Sequence, residues 1–130
     1  MSSEFQNWAQ GSGAIKHQQT TRQRIGDLIE ILHSRGLSDR VQSIALLQAA
    51  DLLCNQGVWL TAQMGFVKNV HLDGRQLVAE DFRAMPDGCT VSAINMVPAY
   101  VGYLLANALT GKTRAWLMGQ GNCVAAIDAV

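Results

Sequence analysis

Residues 114–128 read RAWLMGQGNCVAAID. The short run 113–118 has strand character and meets Gly119-Gln120-Gly121, after which an alanine-, valine- and isoleucine-rich helix start follows. Strand, Gly-x-Gly and helix is how an α/β layer begins, because paired glycines let the backbone approach a ligand and a helix start offers unpaired N–H donors. On spacing alone the same glycines also suit a tight βα turn, and both readings stand. No acidic residue follows at the distance a dinucleotide fold requires. One strand does not make a sheet, so its partners are expected from further sequence or from another chain. The sequence therefore predicts an α/β fold class, mostly helical, with one or two short strands in an incomplete parallel layer.

Working back along the chain, residues 92–109 form a long apolar segment with Pro98 placed in a first turn or at a kink. Met96, Val97, Val101, Leu104, Leu105 and Leu109 are its expected buried face. Met85-Pro86-Asp87-Gly88 breaks the chain before it, and Leu72-Asp73-Gly74-Arg75 reads as a turn. Residues 78–82 fit no single element. Upstream, residues 22–35 carry Ile25, Leu28, Ile29 and Leu32 at helical spacing, with Gly36 as C-cap. Ser38 or Asp39 then caps a second helix, which is apolar nearly all round from Ile44 to Cys54 and needs neighbours on several sides. Gly57 is expected to end or interrupt it. Residues 1–21, rich in Gln, Ser, Gly and Thr, read as a polar mobile arm. The domain plan is thus an arm over 1–21 and one folded region over 22–130.

Composition narrows the function classes. The chain has 130 residues, of which 48% are hydrophobic and 15% charged, enough for one core and against disorder. Ten basic residues balance ten acidic ones, so there is no electrostatic case for nucleic acid or an anionic membrane. No run of about eighteen apolar residues occurs, so no transmembrane helix is expected; the N-terminus lacks a basic head and an apolar core, so no signal peptide is read, and a cytoplasmic chain is expected. Cys54, Cys89 and Cys123 show no metal-binding spacing with His17, His33 or His71, and reduced thiols are expected.

Several local motifs compete for chemistry. Residues 106–113, ANALTGKT, fit a loose phosphate-loop pattern, but that loop needs a strand before it and a helix after it. Here the order is reversed, which makes Gly111 a helix C-cap. Cys89 follows Gly88 at a helix start, where a thiol can become a nucleophile if a base is near. An ordinary semi-buried thiol is the simpler reading. Glu80-Asp81 is read as a solvated acidic pair on a surface turn.

Residues 72–130, LDGRQLVAEDFRAMPDGCTVSAINMVPAYVGYLLANALTGKTRAWLMGQGNCVAAIDAV, carry four elements in order. They are Val78-Ala79-Glu80-Asp81, the Gly88 turn, the Ile94-Asn95 helix start, and the strand ending in Gly119-x-Gly121. Together they resemble the N-terminal part of thiamine-diphosphate-dependent phosphoketolase and transketolase-like enzymes, above all the xylulose 5-phosphate 3-epimerase-like relatives. The resemblance thins towards Val41 and is absent from residues 1–21. It implies a transketolase-like parallel α/β domain, a ketose phosphate substrate, and thiamine diphosphate held with Mg²⁺ at a dimer interface. The implied substrate and cofactor loops fall on Gly88, Cys89, Ser92, Gly119, Gln120, Gly121 and Asn122. The family pattern has histidines at the positions of Cys89 and Asn122, where imidazole binds substrate and moves protons. Neither replacement can do so at neutral pH with the same ease, and Val91-Ser92-Ala93 stands where the family has a small, glycine-containing stretch. The family's Gly-Asp-Gly metal-diphosphate motif lies beyond the position matching Val130.

The resemblance with these departures predicts a non-catalytic remnant of a sugar-phosphate enzyme, with no cofactor bound by this chain alone. One subunit of a split transketolase-like enzyme is the first alternative, its partner supplying the cofactor motif. A helical protein-interaction module is the second, with a full-length relative or another copy of the chain as partner. Marginal stability or self-association is expected, because an uncovered parallel strand is unstable.

Overall fold

The computed structural model describes residues 2–119 and 121–130, except for the side chain of Asn122. The described residues are mostly helical. The α-helices are α1 (Ser3–Ala9), α2 (Gln19–Ser34), α3 (Arg40–Phe66), α4 (Gly88–Ser92), α5 (Met96–Thr110) and α6 (Val124–Asp128). Short 3₁₀ turns cover Ala79–Asp81, Ala93–Asn95 and Gly121–Cys123. The chain divides into two compact units, the first Met1–Asn55 with Gly102–Ala115, the second Gln56–Val101 with Trp116–Val130.

Helix ends follow local chemistry. Gly36 takes φ of +65° after α2, and its N–H donates to the His33 carbonyl at 3.0 Å while Leu37 N–H donates to Leu32 at 2.9 Å. That double bond pattern is a Schellman cap, which a glycine adopts without steric cost. Asp39, rather than Ser38, caps α3, its Oδ1 accepting the Gln42 N–H at 2.8 Å. Pro98 lies in the first turn of α5. It has no N–H for the carbonyl of Ile94 and its ring crowds that carbonyl, which accounts for the 3₁₀ step Ala93–Asn95 between α4 and α5. Gly111, at φ +63°, follows the last residue of α5 as its cap.

Three sequence expectations change. Residues 1–21 are not an arm without structure: α1 starts at the Ser2 cap and buries Phe5, Trp8 and Ala9. These join Ile29, Ile44 and Leu47 in the core of the first unit. The polar link after α1 is pinned to α3, where Asn55 accepts the Ala14 N–H and donates to the Ser12 carbonyl, each at 2.8 Å. Gly57 neither ends nor interrupts α3. A Cβ there would sit 2.8 Å from Val97 and 2.9 Å from Val130, so the glycine serves close packing in the second unit.

The third change concerns the strand. Residues 113–118 form none, and among the described residues there is no strand, only isolated antiparallel bridges at Ser12↔Ile15 and Val67↔Phe82. A strand exists by its ladder, and no described segment pairs with 113–118. Leu117 is left 96% exposed. The α/β part of the expected fold class therefore has no counterpart here, while its mostly helical part does.

One stretch, Gly88–Thr110, is long and apolar enough to cross a membrane by length and composition, with 23 residues and a mean hydropathy of 1.4 over an 18-residue window within it. From sequence no helix of this kind is expected. Its buried positions are Ala93, Val97 and Val101, its other large side chains are half-buried, and its outward positions are small or polar, such as Ser92, Asn95, Ala99 and Gly102.

Candidate functional site

In the second unit α4 packs against the 3₁₀ turn Gly121–Cys123, so the two turns marked by sequence lie side by side. Asp87 decides what the first can do. Its Oδ1 accepts the N–H groups of Cys89 and Thr90, each at 3.2 Å, and its Oδ2 accepts the Thr90 hydroxyl at 2.8 Å. The Thr90 hydroxyl, then the backbone N–H groups, hold the Asp87 carboxyl below its usual pKa, so it is an anion at neutral pH. The N–H donors a phosphate would use are already engaged, and a negative charge sits on them.

The remaining site residues are placed as follows. Cys89 is exposed, and the Ser92 hydroxyl donates to its carbonyl at 2.7 Å, an intrahelical bond. A Cβ built on Gly88, Gly119 or Gly121 meets nothing within 4 Å, and none of the three has a positive φ. The fold therefore does not require glycine at these positions. Gln120 and the side chain of Asn122 lie outside the described residues. Thiamine diphosphate with Mg²⁺ needs oxygen ligands for the metal and free donors for the diphosphate. The Gly88 turn does not fit that need. Among the described residues no three His, Cys, Asp or Glu side chains gather as metal ligands.

Two polar clusters were not anticipated from sequence. In the second unit Arg75 grips Asp81 with both arms, Nη1 to Oδ2 at 2.9 Å and Nη2 to Oδ1 at 2.7 Å. The Val78 N–H adds a bond to Asp81 Oδ2 at 2.9 Å. The Arg75 bond, then the Val78 bond, bring the Asp81 pKa down to about 2. Asp81 is therefore a structural tie, not the solvated acid expected, while Glu80 stays exposed. Arg75 Nη2 also lies 2.8 Å from His71 Nε2. A guanidinium only donates, so that ring nitrogen accepts. Gln63 braces the same segment, receiving the His71 N–H at 2.8 Å and donating to the His71 carbonyl at 3.2 Å.

In the first unit His17 Nε2 meets Asp51 Oδ2 at 2.7 Å, and its ring stacks on Trp8 with centroids 4.3 Å apart. The partners are 34 residues apart in sequence, so no local pattern could announce them. Both clusters tie loops to α3. No protein-family model matches the chain, and neither a curated protein nor a solved structure gives a significant match.

Proposed function

We propose that the chain is a non-catalytic remnant of a thiamine-diphosphate-dependent sugar-phosphate enzyme of the phosphoketolase and transketolase kind. The observation that carries this reading is the Asp87 cap. At the turn where the family pattern has Gly-His before a helix, the N–H groups of Cys89 and Thr90 are satisfied by the chain's own carboxylate. An incoming phosphate would have to displace that carboxylate and approach its charge. Cys89 and Asn122 stand in place of two proton-carrying histidines. The finer fold reading, a piece of a transketolase-like α/β layer, belongs to the same proposal. It is supported by the motif order over 72–130 and by the adjacency of α4 and the Gly121–Cys123 turn. On this reading the chain alone binds neither thiamine diphosphate nor Mg²⁺, acts on no xylulose 5-phosphate, and resides in the cytoplasm.

A second reading, a helical interaction module, is favoured by the second unit's surface. Leu72, Met85 and Leu117 are 78%, 83% and 96% exposed, each a large apolar side chain left in water that a partner could cover. Its partner would be a complementary or full-length transketolase-like chain, or another copy of this one.

The test is thermal unfolding followed by circular dichroism, with and without thiamine diphosphate, Mg²⁺ and xylulose 5-phosphate. A ligand that binds only the folded chain must raise the melting temperature. The expected melt is the same in every buffer. A reproducible rise with the ligands would overturn the non-catalytic reading in favour of a split enzyme. Sedimentation equilibrium addresses the second reading, which a strictly monomeric chain that ignores a full-length relative would exclude.

A further inference from the structure

The first unit contains a cavity of about 310 Å³ between α1, α2 and α3, away from the residues discussed for sugar-phosphate chemistry. Its walls include Phe5, Ile29, Val41, Ile44 and Ala45, with Gly26 contributing no side chain. The small residues Gly26 and Ala45 leave space that the larger neighbours do not fill. That volume lies at the lower end of the range of small-molecule sites, which are mostly apolar with a few polar groups at the edge.

The charged groups of the lining are already partnered. Arg40 holds Glu30 bidentately, Nε to Oε1 at 2.8 Å and Nη2 to Oε2 at 2.6 Å. The Glu4 carboxyl is held below its usual pKa by its own backbone N–H, then by the Ser2 and Ser3 hydroxyls. An anion entering the cavity would lose water and meet two carboxylates, and a cation would have to displace Arg40 from Glu30 or the donors that hold Glu4. An uncharged apolar molecule would lose only unfavourable hydration and cover Val41 and Ala45, the apolar wall residues that water reaches.

We propose that this cavity is a binding site for a small, uncharged, apolar molecule. The lining sets the class of ligand: it offers apolar area, Arg40 and Glu30 satisfy one another, and the Glu4 carboxylate is already held by hydrogen-bond donors.

The probe is N-phenyl-1-naphthylamine, neutral at pH 7 and fluorescent in apolar surroundings, titrated against the full chain. Ala45→Trp fills the cavity from an exposed position on α3, so circular dichroism should show the fold retained. Ala49→Trp, also exposed on α3 but outside the cavity, controls for the new indole. The expected result is saturable binding by the wild type and by Ala49→Trp, weakened roughly tenfold or more in Ala45→Trp. No saturable binding, or equal binding by folded Ala45→Trp, overturns the proposal. Binding that emerges only when residue 1 is deleted also overturns it, since the chain's own start would then be the occupant.

Discussion

The turn after α1 and the turns flanking α4 are both rich in glycine, but only the first needs it. Gly11 has φ of +76°, and a Cβ there would lie 2.3 Å from the Ile15 carbonyl oxygen; Gly13 has φ of +55° and would press on Asn55 at 2.6 Å. Backbone sterics and a fixed neighbour both demand a hydrogen at these positions. Gly88, Gly119 and Gly121 meet neither demand, having open space around them and no positive φ. A glycine is thus informative about function only where the fold does not already account for it. By that criterion the α4 turns are where the proposed remnant would differ from the rest of the fold.

The comparison breaks most sharply at Gly11. Gly11→Ala should destabilise the chain by about 3 kcal/mol, adding left-handed strain to a backbone clash. Urea unfolding at fixed slope would measure it. A cost within experimental error would mean that the link between α1 and α2 is not held as described. Gly57→Ala comes next, at about 1–3 kcal/mol, because its Cβ meets Val97 and Val130 at 2.8 Å and 2.9 Å. Val97→Ala in the same chain should recover part of that loss in a double-mutant cycle, since it removes one of the two clashes. Strict additivity would place the strain elsewhere.

What could be read from sequence was what local chemistry determines. The Gly36 cap, the Asp39 start of α3, the Gly74 turn and the first-turn place of Pro98 all depend on residues within a few positions. The fate of residues 1–21 depends on Asn55 and Asp51, reached across more than thirty positions. Polar composition cannot distinguish a solvated arm from one whose polar groups are met by a helix. The close packing at Gly57 involves Val97 and Val130, far away in sequence, and whether 113–118 forms a strand depends on a partner that local sequence does not specify. At the candidate site, the turn positions Gly88, Cys89, Ser92, Gly119 and Gly121 were marked individually. The role of Asp87 is legible too, since an acid immediately before Gly-Cys-Thr at a helix start is a capping residue, although Met85-Pro86-Asp87-Gly88 also reads as a chain break.

The Asp81 tie gives a smaller, pH-dependent effect. The folded pKa of about 2 lies below the ordinary value of 3.8. Between these values the unfolded chain binds more protons, so stability falls as pH falls from about 4 to 2 and the contribution is fully present above that window. Asp81→Asn should melt lower than wild type at pH 6, with the gap narrowing as acid protonates the wild-type carboxyl. A gap that is constant from pH 6 to pH 2 would mean that charge at Asp81 does not stabilise the second unit.

The smallest effect is the one that most sharpens the comparison. Gly88→Ala and Gly121→Ala place a methyl group in open space at backbone angles that alanine accepts. Alanine also restricts the unfolded chain, so each substitution should leave stability unchanged or raise it by about 0.4–1 kcal/mol. Gly88 is the cleaner probe, because it opens α4 under the Asp87 cap, where alanine favours the helix. If both variants melt at or above the wild-type temperature, these glycines serve no structural purpose in the chain, as the proposed remnant reading predicts. If either loses more than about 1 kcal/mol, a neighbour or partner must approach that turn closely. The glycine would then belong to the working fold, and the contrast with Gly11 and Gly13 would disappear.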